Sequence, residues 1–166
     1  MPSTNTTTAK AKQPINAAVE GIDAVQMLTE DHENVKQMFE QFENMTDRAK
    51  VSKKKLADQI CLELIKHTTV EEEIFYPAVR ADAKDSDDMV DEAIVEHASA
   101  KDLIAQILEM DPGEDLYDAK VKVLSELVEH HVEEEEEEMF KLARESGLDM
   151  MELGQQMAQR KAEVTL

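Results

Sequence analysis

The chain has 166 residues, enough for one domain with a hydrophobic core but too few for two domains of ordinary size. It contains only 4 glycines, 4 prolines and 4% aromatic residues, which favours an all-helical fold over a β-sheet. Its formal net charge of −20 argues against a nucleic-acid partner, because the phosphates would be repelled.

The remaining bulk features predict a cytoplasmic protein that does not contact a membrane. No apolar run approaches the roughly 20 residues that span a bilayer. The N-terminal sequence MPSTNTTTAKAKQP lacks the apolar stretch of a secretory signal. The single cysteine, Cys61, excludes an internal disulfide and is typical of a reducing compartment. Residues 1–20 show no periodicity and are predicted to be a disordered tail.

Four amphipathic stretches follow the tail, each with the 3.6-residue period of a helix that buries one face. They cover residues 23–45, 52–79, 86–110 and 115–146. The short connections favour antiparallel neighbours, so the sequence predicts an up-down-up-down four-helix bundle over residues 21–146. Gly147 is a predicted helix stop, and Asp149 is a predicted cap of a short fifth helix within residues 147–166.

Each of the four long helices carries one histidine on its apolar stripe: His32, His67, His97 and His131. The sequence midpoints between successive histidines fall at 49–50, 82 and 114, inside the three connections. Residues equidistant from the turn of an antiparallel pair lie at the same height. The four imidazoles are therefore predicted to form one layer across the bundle.

Two glutamates add carboxylates to this layer. Glu71 follows His67 by four residues and Glu135 follows His131 by four, so each lies about 40° around its helix from its histidine, still facing inward. Two buried anions would repel and lose their hydration unless cations lay between them. We therefore predict a site for paired metal ions with six ligands: His32, His67, Glu71, His97, His131 and Glu135. Imidazoles and carboxylates without a thiolate suit iron or manganese better than calcium, and zinc is a further candidate.

The other glutamates near these motifs are expected to face solvent: Glu72, Glu73, Glu133, Glu134, Glu136 and Glu137. Glu138 is expected to face the core as a spare carboxylate, while His130 lies off the apolar stripe and is left open as a ligand. Asp31 and Glu96 each precede a predicted ligand, so they either orient imidazoles or are plain surface charges.

Two lysines, Lys36 and Lys101, follow a predicted ligand by one turn. We expect both to extend along the edge of the apolar stripe into solvent. The alternative is a lysine–glutamate gate over the metal layer, formed with Glu63.

The motifs resemble the hemerythrin-like, or HHE cation-binding, family over about residues 23–145. The matching segments are DH at 31–32, HTTVEE at 67–72 followed by FYP, EH at 96–97 and HHVEEEE at 130–136. The resemblance implies a four-helix bundle with a non-haem di-iron centre that contains an oxo or hydroxo bridge. By position, His32 and His67 would bind one iron and His97 and His131 the other, with Glu71 and Glu135 bridging them.

The chain departs from the oxygen-carrying members, which have a fifth histidine one turn from the third-helix ligand. Ala93 and Lys101 stand at the two candidate positions here. This substitution weakens the prediction of reversible oxygen carriage, since one iron would have a more open coordination sphere. The small side chain of Ala93 would leave room for water, dioxygen or peroxide.

We therefore predict a di-iron protein that binds dioxygen or a related small oxidant and acts in oxygen, redox or iron sensing or storage. The alternative is a di-iron enzyme that decomposes peroxide or acts in nitrosative-stress defence. A ferritin-like oxidase is disfavoured because no histidine has a glutamate three residues before it. A metal-free helical interaction module would leave the buried carboxylates unexplained. Whether the protein is an enzyme, and its oligomeric state, stay open.

Overall fold

The computed structural model describes residues 21–166 and contains five helices in that range. The predicted tail, 1–20, lies outside the described residues. Two of the four long helices are single α-helical segments, α1 (Ala24–Glu43) and α3 (Asp87–Glu109). Helices α2 and α4 each contain a π-helical turn: α2 comprises Lys50–Val70, Glu71–Phe75 and Tyr76–Asp82, and α4 comprises Tyr117–Glu134, Glu135–Met139 and Phe140–Glu145. The fifth helix, α5, is Met150–Glu163.

The predicted all-helical fold with a short C-terminal helix is confirmed, and no β-strand forms within residues 21–166. In the same range, none of the helices combines the length and apolar character that a membrane span requires. Asp149 caps α5 as predicted, accepting a hydrogen bond of 3.0 Å from the backbone N–H of Glu152. Gly147 follows the C-cap residue of α4, Ser146, and adopts a φ of +81°, the left-handed conformation that ends a helix at low cost for glycine.

The buried apolar residues form two clusters, one on each side of a polar layer. The first cluster contains Leu28, Val70, Phe75, Val79 and Phe140 among others. The second contains Val35, Phe39, Ile60, Leu64 and Ile104 among others. In each helix the predicted metal ligands fall between the segments that build the two clusters, so both ends of the polar layer are sealed from water.

The two π turns begin at Glu71 and Glu135 and change the buried face of their helices. The backbone N–H of Tyr76 bonds to the carbonyl of Glu71, and that of Phe140 bonds to the carbonyl of Glu135, five residues back in each case. The wider turn advances the buried face by one position. Met139 is therefore buried in place of Glu138, which is exposed. The prediction that Glu138 faces the core is wrong for this reason.

The π turn has the same effect on α2, where Phe75 is fully buried and Ile74 only partly. Ile94 on α3 is exposed over 40% of its surface, although it belongs to an amphipathic helix. Helix α3 buries a narrow stripe spaced alternately by three and four residues, and Ile94 lies at its edge.

Helix α5 packs across α1 and α2, outside the four-helix bundle. Met157 is fully buried in this contact, and a Cβ added to Gly154 would lie 1.7 Å from the carbonyl oxygen of Ile22. Arg160 bonds to Glu73 at 2.6 Å, and Lys161 pairs with Asp31. The fifth helix is thereby held against the half of the bundle that contains His32 and His67.

Candidate metal centre

The structure brings the six predicted side chains together in one layer inside the bundle. All six are at least nine-tenths buried, and Glu71 is fully buried. Their donor atoms form two adjoining groups in which every atom lies within 4.8 Å of the others. One group contains His32, His67, Glu71 and Glu135, and the other contains Glu71, His97 and His131.

In the first half of the centre, the Nε2 atoms of His32 and His67 are 3.0 Å apart. Oε1 of Glu71 lies 3.0 Å from Nε2 of His67, and Oε2 of Glu135 lies 3.2 Å from Nε2 of His32. Four donor atoms from four different residues therefore surround this half.

The second half repeats this arrangement with the other oxygen of each carboxylate. The Nε2 atoms of His97 and His131 are 3.0 Å apart. Oε2 of Glu71 lies 3.2 Å from Nε2 of His97, and Oε1 of Glu135 lies 3.4 Å from Nε2 of His131. Each carboxylate thus directs one oxygen to each half, which is the geometry by which a carboxylate links two cations.

Two buried carboxylate oxygens indicate that a cation fits between the imidazoles. Oε1 of Glu71 and Oε2 of Glu135 are both buried and accept no hydrogen bond. The nearby histidine nitrogens approach them without the alignment of a hydrogen bond. A buried carboxylate oxygen without a partner is destabilising, and a cation between the imidazoles would satisfy both atoms. The donor set of imidazole nitrogen and carboxylate oxygen suits iron, manganese or zinc.

Protons take the place of cations in the metal-free centre. Burial alone would lower the pKa of His67, but Glu71 and Asp31 outweigh burial and raise it to about 10. Burial is likewise outweighed at His131, where Glu135 and Glu71 raise the pKa to about 9. Burial would raise the pKa of Glu135, yet the neighbouring histidines hold it well below its usual value. Metal ions would therefore displace protons from these imidazoles.

Each imidazole is oriented by a carboxylate on its outer nitrogen. Nδ1 of His67 lies 3.2 Å from Asp31, and Nδ1 of His131 lies 2.6 Å from Glu96. Of the two alternatives left open for Asp31 and Glu96, the structure favours the orienting role, and each carboxylate holds the histidine of the neighbouring helix. A proton on Nδ1, donated to a carboxylate, leaves the Nε2 lone pair directed into the centre.

The other two imidazoles use carboxylates that were expected only to face solvent. Nδ1 of His97 lies 2.9 Å from Glu72, and Nδ1 of His32 lies 2.9 Å from Glu136. Both glutamates directly follow an inward glutamate of an HxxxE motif. That repeated position was a usable sequence signal for their role.

Each residue of the centre in the first half of the chain has an equivalent in the second half, 64 or 65 positions later. Tyr76 and its equivalent, Phe140, are the pair whose contacts differ. Tyr76 is buried, and its hydroxyl donates a hydrogen bond of 2.6 Å to Oε1 of Glu135. The hydroxyl oxygen of Tyr76 also lies 3.2 Å from Nε2 of His97 and 3.4 Å from Nε2 of His131. The equivalent residue, Phe140, has no oxygen and stacks on His32 with ring centroids 5.7 Å apart.

Tyr76 therefore adds a fifth donor atom to the half that contains His97 and His131. Burial and the two inward glutamates raise the pKa of Tyr76 far above its usual value, so the phenol holds its proton in the metal-free protein. Tyr76 was not identified from the sequence, because it follows Glu71 by five residues. On a regular α-helix that spacing corresponds to about 140° around the axis, away from the centre.

The remaining candidates lie outside the centre. The side chain of His130 is 62% exposed and Glu138 is exposed, so neither side chain reaches the buried donor atoms. Lys101 bonds to both oxygens of Glu72 at 2.7 Å, whereas Glu63 pairs with Lys66 at 3.7 Å. The alternative of a lysine gate with Glu63 is therefore wrong, and Lys101 is held by Glu72 instead of extending freely into solvent.

A small cavity of about 30 Å³ adjoins the four imidazoles. Apolar side chains line the rest of its wall: Val35, Leu64, Ala100, Leu127 and Val128. A space of this size holds one or two water-sized molecules. It suits a molecule of two heavy atoms and excludes an organic substrate of ordinary size.

Comparisons with known proteins identify a family and a fold. The sequence model of the family described as Hemerythrin HHE cation binding domain matches residues 23–143. A protein named DNA nickase, from Nostoc sp. (strain PCC 7120 / SAG 25.82 / UTEX 2576), is 30% identical over 114 residues. The match covers 69% of this chain but only 31% of the Nostoc protein, so the chain spans less than a third of that relative.

A solved structure shares the fold. It is a hemerythrin HHE cation binding domain-containing protein from Mycobacterium kansasii, with a TM-score of 0.73 and 24% sequence identity. The similarity covers 86% of each chain.

Proposed function

The chain belongs to the hemerythrin HHE cation-binding family, and from this premise we propose that it holds two iron ions and binds a small oxidant such as dioxygen or peroxide. The family assignment and the buried histidine–glutamate cluster support cation binding. The observation that carries the two-iron proposal is that Glu71 and Glu135 each direct one oxygen to His32 or His67 and the other to His97 or His131, so two matching sets of donors adjoin. We place this activity in the cytoplasm, in oxygen or redox sensing or in iron storage.

The division of ligands follows the two halves of the centre. His32 and His67 would hold one ion and His97 and His131 the other, with Glu71 and Glu135 shared by both. Tyr76 would add its phenol oxygen to the second ion, since that oxygen lies within 3.4 Å of both histidines. Iron bound here would supply the electrons by which a small oxidant is reduced. Manganese or zinc would fit the same donors but is less typical of the family.

The protein's own residues account for the choice of a small ligand. Val35, Leu64 and Ala100 give an apolar wall to the cavity of about 30 Å³ beside the imidazoles. The four outer carboxylates fix the direction of each Nε2 lone pair. The half with His32 and His67 has one donor fewer, so the exchangeable position is expected there. The missing fifth histidine had suggested the half with His97, but Tyr76 supplies a donor to that half.

Metal analysis of protein purified from iron-replete cells tests the proposal. We expect two irons per chain and an optical spectrum that changes when oxygen is admitted to the reduced protein. Protein that carries no iron, or a spectrum that is unchanged by both oxygen and peroxide, would contradict it.

A second candidate function, peroxide decomposition, is supported by the buried phenol of Tyr76. In this alternative Tyr76 is not an iron ligand and keeps its proton: its O–H is directed at Oε1 of Glu135 within the centre, so a proton donor and an acceptor are both present. Converting two molecules of hydrogen peroxide into two of water and one of dioxygen requires such proton transfers. Oxygen release from peroxide by iron-loaded protein, compared with an equal amount of free iron, distinguishes this enzyme from a binding protein.

DNA nicking, the activity for which the Nostoc relative is named, is not part of this proposal. The shared region is less than a third of that relative. The net charge of −20 would repel a DNA backbone.

A further inference from the structure

A further group of histidine and glutamate side chains lies on the surface beside the buried centre. It consists of Glu96 on α3 with His130 and Glu134 on α4, whose donor atoms all lie within 4.8 Å of one another. Nε2 of His130 is 3.3 Å from Oε1 of Glu134 and 3.6 Å from Oε1 of Glu96. We call these three residues the outer cluster.

Each residue of the outer cluster directly precedes a residue of the buried centre in the sequence. Glu96 directly precedes His97, His130 precedes His131, and Glu134 precedes Glu135. Neighbouring residues on a helix differ by about 100° in direction and 1.5 Å in height. The three side chains therefore converge at nearly the height of the buried donors, but on the outer side of α3 and α4. Their side chains are 22%, 62% and 41% exposed, so solvent reaches them.

Glu96 belongs to both the outer cluster and the centre. Its Oε2 lies 2.6 Å from Nδ1 of His131, while its Oε1 faces His130. One carboxylate thus orients an inner imidazole with one oxygen and presents the other to the outer cluster.

The other half of the bundle shows what occupies the equivalent place. Asp31 corresponds to Glu96: its Oδ2 lies 3.2 Å from Nδ1 of His67, and its Oδ1 pairs with the ammonium group of Lys161 on α5. A cation supplied by the fifth helix therefore lies behind the carboxylate in that half.

No such cation lies behind Glu96. Helix α5 packs on α1 and α2, and across residues 21–166 no lysine or arginine pairs with Glu96 or Glu134. The positions equivalent to His130 and Glu134 are Lys66 and Val70. The half of the bundle that α5 covers therefore lacks the histidine and the second glutamate of the outer cluster.

We propose that Glu96, His130 and Glu134 form a third metal site, which binds a divalent first-row transition ion such as zinc or ferrous iron and exchanges it with solvent. One imidazole nitrogen and two carboxylate oxygens are an established donor set for these ions, with water completing the coordination. The ion takes the place that Lys161 fills in the other half. Because Glu96 also holds His131, occupation of the third site is transmitted to the orientation of an inner imidazole.

Zinc titration of the full chain tests the proposal without redox chemistry. We expect slowly exchanging zinc in the buried centre and one further equivalent that a chelator removes at once. In the His130→Ala variant the rapidly removed equivalent should bind at least about tenfold more weakly. Replacing a residue that only supports a metal ligand already lowers metal affinity by about that factor, and His130 would be a ligand itself. Glu133→Gln, an exposed change on the same helix outside the outer cluster, should leave it unaltered.

Two results would overturn the third site: wild-type protein that binds no more zinc than His130→Ala, or an equal loss in Glu133→Gln. Failure of the proposed function would look different. It would remove the slowly exchanging zinc from every variant and leave the difference between wild type and His130→Ala in place.

Discussion

At the scale of single residues, one oxygen atom makes the two halves of the centre unequal. Tyr76 directs a hydroxyl between His97 and His131, whereas its equivalent Phe140 stacks on His32. The six inward histidines and glutamates could be located from sequence because antiparallel geometry sets their heights and a four-residue step sets their direction. Tyr76 could not be, because its direction depends on the π turn that precedes it.

Replacing Tyr76 tests this asymmetry. Tyr76→Phe makes the two halves alike, and we expect iron(III)-loaded protein to lose a visible phenolate-to-iron charge-transfer absorption while it keeps both irons. The control is Tyr117→Phe, which changes the chain's other tyrosine, a buried residue of the second apolar cluster. Identical visible spectra for Tyr76→Phe and wild type would show that the phenol oxygen is not a ligand.

The raised pKa values of His67 and His131 predict how the stability of the metal-free protein depends on pH. Burial opposes protonation, but Glu71 and Asp31 raise the pKa of His67 to about 10, and Glu135 and Glu71 raise that of His131 to about 9. Both values exceed the ordinary 6.5, so the folded chain binds more protons than the unfolded chain between these limits. The stabilisation is complete below about pH 6.5 and is lost as the pH rises through about 9 to 10.

We therefore expect the free energy of unfolding of the metal-free protein to fall between about pH 7 and pH 10, measured by urea denaturation. Metal-loaded protein should not show this fall, because its imidazoles are already deprotonated. A free energy that stays level or rises across this range in the metal-free protein would contradict the assigned interactions.

At the scale of helices, the bounds were predictable and the π turns were not. The predicted helix at 52–79 is observed at 50–82, and the one at 115–146 is observed at 117–145. Apolar periodicity and turn residues carry that information. A π turn contains one residue more than an α-helical turn, and tertiary packing, not local propensity, selects it here. The extra residue places Glu71 and Tyr76 on the same face of the helix. The wrong prediction for Glu138 follows from that one-residue shift.

The docking of α5 depends on a glycine at its contact with the chain before α1. A Cβ at residue 154 would lie 1.7 Å from the carbonyl oxygen of Ile22, so the helix or the Ile22 backbone must move. We expect Gly154→Ala to lower the free energy of unfolding by about 1–3 kcal/mol, the usual cost of overpacking. Chemical denaturation measures this change.

Gln155→Ala is the control for this prediction, since residue 155 is exposed on the same helix. It should alter the free energy of unfolding by no more than about 0.5 kcal/mol. Equal stability of Gly154→Ala and wild type would show that the contact with Ile22 yields without cost.

At the scale of the whole molecule, the centre divides the core. Two apolar clusters lie above and below a layer of buried imidazoles and carboxylates. Such a layer is expensive when its acceptors are unpaired, so the metal and the fold should stabilise each other. The bundle topology was predictable because four amphipathic helices with short connections allow few arrangements. The unequal surroundings of the two halves were not, since they depend on where α5 packs.

Removal of the metal should therefore lower the thermal stability of the whole domain. Binding to the folded chain alone contributes about 4 kcal/mol when the free metal concentration is about a thousand times the dissociation constant. We expect the unfolding temperature to drop on chelation and to recover when ferrous iron is added back under anaerobic conditions. An unfolding temperature that is the same with and without metal would mean that the folded centre does not bind it.

Anomalous X-ray diffraction at the iron absorption edge, from crystals of iron-loaded protein, tests the central claim most directly. We predict two iron peaks inside the bundle, one beside His32 and His67 and the other beside His97 and His131, with Glu71 and Glu135 between them. A single peak, or iron only on the protein surface, would contradict the two-cation centre.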